Sequence, residues 1–203
     1  SKDNSPATNA NNNGNINIAN LQAQINSLPK EPLNQTELTS LSFMREEEKL
    51  ARDVYITLYN KWGVTIFTNI SNSEQTHMDA ILMLLNKYSQ IDPVGSNGVG
   101  VFANTTLQTL YNQLVTQGNA SVVDAYKVGA TIEDLDIFDL KTALISIDNQ
   151  DIRLVYEMLT KGSRNHMRSF YKNILNVGGT YTPLYITQAE FDAIINSPME
   201  TGF

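Results

Sequence analysis

The sequence predicts an all-α protein in which four long helices bury their apolar faces against one another. Apolar side chains recur at spacings of three and four residues through most of the chain after residue 38, the pattern of helices with one buried face. No segment shows the alternation of apolar and polar residues that a half-buried strand requires, and no repeat occurs at the period of a solenoid.

The first two long helices are predicted in the first half of the chain. The first ends at Gly63 and the second at the Asp92-Pro93 step. The buried face of the first comprises Met44, Glu48, Ala51, Tyr55, Leu58 and Trp62, and that of the second comprises Phe67, Ile70, Glu74, His77, Ile81, Leu84 and Tyr88.

The second half of the chain predicts two more long helices and two short ones. Ser121 is a candidate N-cap for the third long helix, and Asp148 or Asn149 for the fourth, which Gly178-Gly179 closes. A short helix is expected over residues 106–117, and Thr187-x-x-Glu190 predicts a capping box for a terminal one. The buried faces comprise Val122, Tyr126, Gly129, Glu133, Asp136, Leu140 and Ala143, then Ile152, Tyr156, Leu159, Ser163, His166, Phe170 and Ile174.

The lengths of the connections predict the topology. Tight turns join the first helix to the second and the third to the fourth, so each pair forms an antiparallel hairpin. The link between the second and third helices, residues 89–120, is long enough to cross the length of a bundle. We therefore expect a four-helix bundle with one long crossover and short accessory helices, in a domain over residues 36–203.

The first 35 residues are predicted to be a flexible leader. They are rich in Asn and contain no aromatic side chain, so they can bury little apolar area. A short docked helix is the alternative, because Ile18, Leu21, Ile25 and Leu28 recur at helical spacing. No signal peptide is evident, and an Asn-rich leader is typical of a mature exported or cell-surface protein; otherwise we expect a cytoplasmic location.

Composition limits the chemistry that the chain can perform. The 203 residues include 14 Lys plus Arg against 21 Asp plus Glu, a net charge of −7, which argues against binding to nucleic acid or to an anionic membrane surface. The longest apolar run, residues 80–85, is far shorter than the roughly 20 residues of a membrane span. Without cysteine the chain has no disulfide, iron–sulfur cluster or thiolate metal site, which leaves carboxylates, hydroxyls, His77 and His166.

Groups able to bind a metal occur within all four apolar faces: Glu48, Glu74 with His77, Glu133 with Asp136, and His166. Unpaired carboxylates in a core are strongly destabilising. No inward basic residue is evident, because Lys49, Arg52 and the later Lys and Arg fall off the buried faces. Two divalent cations would balance the four carboxylates, so a metal site is predicted.

The same residues carry a resemblance to a known family. Glu48-x-x-Ala51-x-x-x-Tyr55, followed by Phe67-x-x-Ile70-x-x-x-Glu74-x-x-His77, resembles the first half of the ferritin-like superfamily, in a rubrerythrin-like form. Over residues 38–196 the chain is similar to a ferritin-like prokaryotic family of unknown function. The superfamily takes single Glu ligands from two helices and Glu-x-x-His from two others.

The resemblance implies a centre of two iron ions, with manganese as the alternative and zinc also compatible with the ligands. It further implies reaction of the reduced metals with dioxygen or peroxide, as an oxidase, peroxidase or ferroxidase. The fourth helix departs from the pattern because Ser163 stands where Glu is expected; Asp136 could supply the missing carboxylate.

Several assignments have a competing interpretation. Glu48 competes with its neighbours Glu46 and Glu47, and Glu133 competes with Asp134; the apolar faces favour Glu48 and Glu133. Tyr55 and Tyr156 could donate hydrogen bonds to the ligands or simply fill the core. The competing function is a structural or binding module with a degenerate, metal-free site, and a storage cage is a weaker alternative.

Overall fold

The computed structural model describes residues 16–202, and every regular element within that range is a helix. The seven helices are α1 (Ile18–Ser27), α2 (Gln35–Trp62), α3 (Thr65–Lys87), α4 (Thr105–Gly118), α5 (Val122–Ala143), α6 (Gln150–Asn176) and α7 (Gln188–Ile195). The all-α prediction is therefore confirmed for these residues. None of these helices is both long and apolar enough to cross a membrane.

The four longest helices contact one another in a closed cycle. Helix α2 packs against α3, α3 against α6, α6 against α5, and α5 against α2. Gly63 makes the turn between α2 and α3 in the left-handed conformation, with φ of 66°, which glycine adopts without a steric penalty. Helix α4 lies within the connection between α3 and α5 and covers α2 and α5.

Residues 18–27 of the predicted leader form α1, as in the docked-helix alternative. Leu21 and Ile25 are fully buried in a cluster with side chains of α3. The Lys87 ammonium donates to the backbone carbonyl oxygens of Ile25 and Leu28, at 2.9 and 3.0 Å. Burial of two branched side chains thus orders a segment whose overall composition is polar. Residues 1–15 lie outside the described part of the chain.

Side-chain caps define where several helices begin. The Ser121 hydroxyl accepts from the Asp124 N–H at 3.0 Å, and Thr187 with Glu190 forms the predicted capping box. A second capping box, at the start of α2, joins Asn34 to Glu37. Asn149 occupies the N-cap of α6 without capping it; its amide donates instead to Glu31 O and Tyr88 Oη, at 3.3 and 3.1 Å.

One charged face of α2 holds the crossover that precedes α4. Arg45 forms a bidentate pair with Asp92 at 2.8 and 3.0 Å. Glu46 accepts the N–H groups of Ala103 and Asn104 at 2.6 and 3.0 Å. Lys49 and Asp53 are paired with each other. The Lys49 ammonium donates to Gly98 O at 2.7 Å, and the Asp53 carboxylate accepts from the Gly100 N–H at 2.9 Å.

The expectation that Lys49 lies outside the core is therefore wrong. Its side chain is completely buried. The burial occurs because the crossover covers this face of α2, and the charge is satisfied there by Asp53 and Gly98 rather than by the carboxylates of the metal-ligand candidates.

Two apolar clusters fill the core on either side of a polar layer. The first surrounds the rings of Tyr55, Phe67 and Phe170, whose centroids lie 5.2 to 6.3 Å apart. The second joins α1 to the first half of α2, the end of α3 and the start of α6. Between them lie buried carboxylates and both histidines.

Candidate metal centre

Helix α3 supplies a carboxylate and an imidazole one turn apart. Glu74 and His77 share a face because residues three apart on a helix are neighbours, and both are fully buried. Nδ1 of His77 lies 2.8 Å from Oε2 of Glu74 and 3.1 Å from Oε2 of Glu48, which projects from α2. These three side chains form the first group of candidate ligands.

Helices α5 and α6 complete a second group around the other oxygen of Glu74. Nδ1 of His166 lies 2.8 Å from Oε1 of Glu74 and 3.4 Å from Oε2 of Glu133. The other ring nitrogen, Nε2, lies 3.0 Å from the hydroxyl oxygen of Ser73. The two imidazole rings are stacked, with their centroids 5.4 Å apart.

The two groups meet the spacing that a metal ion requires. Within Glu48, Glu74 and His77, and again within Glu74, Glu133 and His166, one candidate ligand atom from each residue lies within 4.8 Å of the others. Glu74 is the member that the groups share, with one oxygen directed at each histidine. Such a carboxylate is placed to bridge two cations.

Buried charge shifts the protonation equilibria of this cluster. Burial opposes ionisation of Glu74, but His166 and His77 outweigh it and hold the pKa of this carboxyl well below its usual range. Burial raises the pKa of Glu48 and of Glu133 to about 7, against the opposing influence of the nearby histidine.

The histidines respond in the opposite sense. Burial lowers the pKa of His166, but Glu74 and Glu133 outweigh it and raise that pKa to about 10. The pKa of His77 is likewise raised well above its usual value, by Glu74 and Glu48 against burial.

Imidazole nitrogens are the polar neighbours of the buried Glu74 and Glu133 oxygens. Each oxygen of Glu74 lies 2.8 Å from a histidine Nδ1, and Oε2 of Glu133 lies 3.4 Å from Nδ1 of His166. A buried acceptor without a donor costs about 1–3 kcal/mol, and more when it is charged. Protonated histidines and bound cations are the two kinds of group that could satisfy these oxygens.

The remaining predicted residues occupy different positions around the cluster. The Tyr55 hydroxyl donates to Oε1 of Glu133 at 2.6 Å. The Tyr156 hydroxyl is instead 2.9 Å from the hydroxyl of Ser40, and the Ser163 hydroxyl donates to Leu159 O of its own helix at 3.1 Å. Tyr55 therefore contacts a ligand candidate, whereas the hydrogen bonds of the other two lead elsewhere.

Asp136 lies outside both ligand groups. It is 1% exposed, and neither carboxylate oxygen accepts a hydrogen bond within the described residues. Burial, followed by the negative charge of Glu47, raises its pKa well above the usual value. Asp136 therefore faces Glu47 as well as the candidate centre.

The side chains that compete with Glu48 and Glu133 have separate roles. Glu46 bonds to the crossover, and Asp134 accepts the N–H groups of Tyr185 and Ile186, at 3.1 and 2.8 Å. Glu47 is buried beside the candidate centre. Its position on the edge of the same apolar face, three residues after Met44 and four before Ala51, is the sequence signal for this burial.

These features define an all-helical protein with a buried cluster of carboxylates and imidazoles. The chain belongs to the family described as an uncharacterized protein domain (DUF2202), whose model matches residues 37–198. It is 57% identical to the uncharacterized protein MJ0754 of Methanocaldococcus jannaschii over 178 residues, 88% of this chain and 96% of that protein. The crystal structure of hypothetical protein MJ0754 superposes with a TM-score of 0.84, covering 86% of this chain and 99% of the other.

Proposed function

We propose that this protein is a ferritin-like four-helix bundle that binds two divalent transition-metal ions, with iron preferred over manganese. The two ions are held by Glu48, Glu74, His77, Glu133 and His166. The observation that carries the proposal is the division of Glu74 between two histidines, with Oε2 2.8 Å from Nδ1 of His77 and Oε1 2.8 Å from Nδ1 of His166.

The chemistry of the donor set supports a transition metal. Mixed carboxylate and imidazole ligands suit iron, manganese and zinc, whereas calcium and magnesium prefer oxygen alone. Four buried carboxylates, those of Glu48, Glu74, Glu133 and Asp136, carry the negative charge that two divalent cations would neutralise. Ser163 provides no second bridging carboxylate, which makes Glu74 the residue on which both ions depend.

Neighbouring side chains orient the ligands. The Tyr55 hydroxyl donates to one oxygen of Glu133 and leaves Oε2 directed at His166. Ser73 contacts Nε2 of His166, so that Nδ1 faces the carboxylates. Such contacts fix the orientation and basicity of metal ligands.

With reduced iron bound, the centre would supply electrons to dioxygen or peroxide. The protein's contribution is to hold the ligands and to retain a proton on Tyr55, whose pKa is raised well above its usual value by burial and by Glu133. The electrons would come from ferrous iron, a small molecule or a separate protein, because the sequence has no cysteine to hold a rubredoxin-type iron.

Metal analysis tests the proposal. We expect the protein loaded anaerobically with ferrous iron and desalted to retain iron in a Glu74-dependent manner, and chelation to lower its melting temperature. Glu74→Gln should abolish the retention, whereas Glu157→Gln, at an exposed position on α6, should not change it. Iron-free wild-type protein with a melting temperature indifferent to chelator would refute a metal centre.

A metal-free structural module is the second candidate. It is favoured by the direct pairing of two imidazoles with three carboxylates. If both histidines are protonated, their positive charges neutralise much of the negative charge of these carboxylates. In that case alanine at Glu48, Glu74 or His77 would leave the free energy of unfolding unchanged or raise it. Under the metal proposal, the same substitutions abolish the stabilisation that added metal provides.

A further inference from the structure

One cavity of the protein reaches a member of the candidate centre from the surface. It has a volume of about 450 Å³ and lies between the first turns of α3 and the second half of α6. Its wall includes Asn69 of α3 and His166, Lys172 and Asn173 of α6. Asn69 and Lys172 are exposed, whereas His166 is 1% exposed. The cavity therefore connects solvent with a buried ligand candidate.

His166 joins this cavity to one ligand group and not to the other. Nδ1 of its ring lies 2.8 Å from Oε1 of Glu74 and 3.4 Å from Oε2 of Glu133. No member of the first group, which comprises Glu48, Glu74 and His77, lines the cavity. The two groups of the proposed centre thus differ in how they are approached from solvent.

The chemistry of the wall suits a neutral or anionic molecule better than a metal cation. No carboxylate lines the cavity, whereas Arg168 and Lys172 do. Positive charge in a cleft disfavours the approach of cations. The other polar groups are neutral amides and hydroxyls, which can hydrogen-bond to water or to hydrogen peroxide. They belong to Thr65, Asn69, Ser169, Asn173 and Asn176.

The C-terminal segment forms a fixed edge of the cavity. Met199 lines it, and the next residue, Glu200, is bonded to α6 through both its backbone and its side chain. The Glu200 N–H donates to Asn165 Oδ1 at 2.9 Å, and its carbonyl oxygen accepts from Asn165 Nδ2 at 3.0 Å. Its carboxylate accepts from Arg164 Nε at 2.7 Å and from Arg168 at 3.2 Å. The cavity is therefore built into the fold.

We propose that this cavity admits a small uncharged oxidant, dioxygen or hydrogen peroxide, to the group formed by Glu74, Glu133 and His166, and that the group containing Glu48 and His77 is not reached from it. The entrance rests on the residues that line the cavity, whereas the destination rests on the proposed function. The two metal positions are then unequal, and only the one beside His166 exchanges ligands with solvent.

Dissolved dioxygen tests the entrance in the metal-free protein. Dioxygen is paramagnetic, so it accelerates the relaxation of protons near which it diffuses. The chain contains only two histidines, so two sets of ring protons are compared in the same sample. We expect oxygen pressure to raise the relaxation rate of the His166 ring protons severalfold more than that of the His77 ring protons.

Filling the cavity should remove that difference. Because the sequence has no cysteine, a single introduced thiol can be alkylated selectively. Asn69→Cys and Asn173→Cys place a thiol on either wall, and Glu157→Cys, at an exposed position on α6, is the matched control. Alkylation with N-phenylmaleimide should lower the dioxygen effect on His166 to the His77 level in a cavity variant and leave it unchanged in the control. Each variant is compared before and after alkylation, so a change in stability caused by the substitution itself does not enter the comparison.

Water relaxation by bound Mn²⁺ tests the destination. Glu48→Gln should keep the ion beside His166, and Glu133→Gln should keep the ion beside His77. We expect each Mn²⁺ bound to Glu48→Gln to accelerate the relaxation of water protons severalfold more than each Mn²⁺ bound to Glu133→Gln. Alkylation of a protein that combines Glu48→Gln with Asn69→Cys should remove this excess.

The outcomes separate the two proposals. Equal dioxygen effects at both histidines, or an effect at His166 that survives alkylation of each cavity variant, would overturn the entrance whatever the metal content. Equal water relaxation in Glu48→Gln and Glu133→Gln would overturn the unequal access and leave the centre standing. Protein that binds no Mn²⁺ would refute the centre and the destination, while a dioxygen effect confined to His166 would still support the entrance.

Discussion

The phenol of Tyr55 donates a 2.6 Å hydrogen bond to Oε1 of Glu133, so that α2 and α5 meet at a charged group within the core. Both side chains are fully buried. Tyr55→Phe removes the donor, and we expect the free energy of unfolding to fall by about 1.5–3 kcal/mol, the usual value of a hydrogen bond to a charged group. Urea denaturation of the metal-free protein above pH 7, where the Glu133 carboxyl is mostly ionised, measures this loss.

Tyr156→Phe is the matched control for that substitution. The Tyr156 hydroxyl pairs with the neutral hydroxyl of Ser40, so its removal should cost only about 0.5–1.5 kcal/mol. Tyr55→Phe should in addition weaken metal binding about 10–100-fold, as losses of ligand-orienting contacts do, while Tyr156→Phe should leave the affinity unchanged. Equal effects of the two variants on affinity would argue against an orienting role for Tyr55.

Selective removal of ligands should distinguish the two halves of the centre. Glu48 belongs to the His77 group and Glu133 to the His166 group, whereas Glu74 belongs to both. Glu48→Gln or Glu133→Gln should therefore each remove one ion of the centre, and Glu74→Gln should remove both. Iron content after anaerobic loading reports the difference. A single ion lost in Glu74→Gln would show that this carboxylate does not bridge.

Asp134 holds the segment between α6 and α7 against α5. Its carboxylate accepts from the N–H groups of Tyr185 and Ile186 and from the hydroxyl of Tyr181, at 3.1, 2.8 and 2.9 Å. Asp134→Asn removes the charge that these donors share, and we expect a loss of about 3 kcal/mol in unfolding free energy. Hydrogen exchange at residues 184–186 should accelerate, whereas the exposed control Asp192→Asn should leave it unchanged.

Gly129 provides the space that Phe170 occupies. A Cβ atom at this position would lie 2.4 Å from Cε1 of Phe170, whereas one at Gly98 would meet nothing within 4 Å. Gly129→Ala should therefore lower the unfolding free energy by about 1–3 kcal/mol through overpacking. Gly98→Ala is the control, and thermal denaturation of both proteins makes the comparison. An unchanged melting temperature for Gly129→Ala would mean that the ring moves freely.

The Arg45–Asp92 pair should make stability depend on acidity. Burial favours the neutral form of Asp92, but hydrogen bonds from Arg45 and from the Val94 N–H outweigh it and lower the pKa of this carboxyl. A lowered pKa in the folded state stabilises the fold above the unfolded pKa of about 3.9, and the contribution disappears as the pH falls through the folded value.

Comparison with Asp92→Asn isolates that contribution. The difference in unfolding free energy between wild type and variant should be constant near neutral pH and should shrink below about pH 4. Urea titrations at several pH values measure it. A difference that persists undiminished in acid would show that the carboxylate charge is not what stabilises the crossover.

Much of the helical structure follows from periodicity and caps, but the surroundings of α2 do not. Glu48, Glu74, His77, Glu133 and His166 lie on faces that the spacing of apolar residues identifies, and the structure brings them together. When one apolar face is identified from periodicity, the opposite side of the helix is expected to be exposed to water. Helix α2 instead contacts α3, α4, α5 and the crossover, so Glu47 and Lys49 are buried as well as Glu48.

The positions of Asp136 and α1 show a second limit. Spacing places Asp136 on the face of Glu133, and the carboxylates that act on it include Glu47 as well as Glu48, Glu133 and Glu74. For α1, composition favoured a flexible leader, but burial of Leu21 and Ile25 against side chains of α3 that are distant in sequence orders the segment as a helix. Neither contact is encoded in the local sequence alone.

The bonds between α2 and the crossover have a consequence for chain continuity. Glu46, Lys49 and Asp53 hold residues 98–104, which lead into the second pair of long helices, while Arg45 holds Asp92 at the end of the first pair. If the backbone is cut between residues 95 and 97, the segments on both sides of the cut therefore remain bonded to α2. We expect the two fragments to reassociate as a complex, with Glu74 in one fragment and His166 in the other.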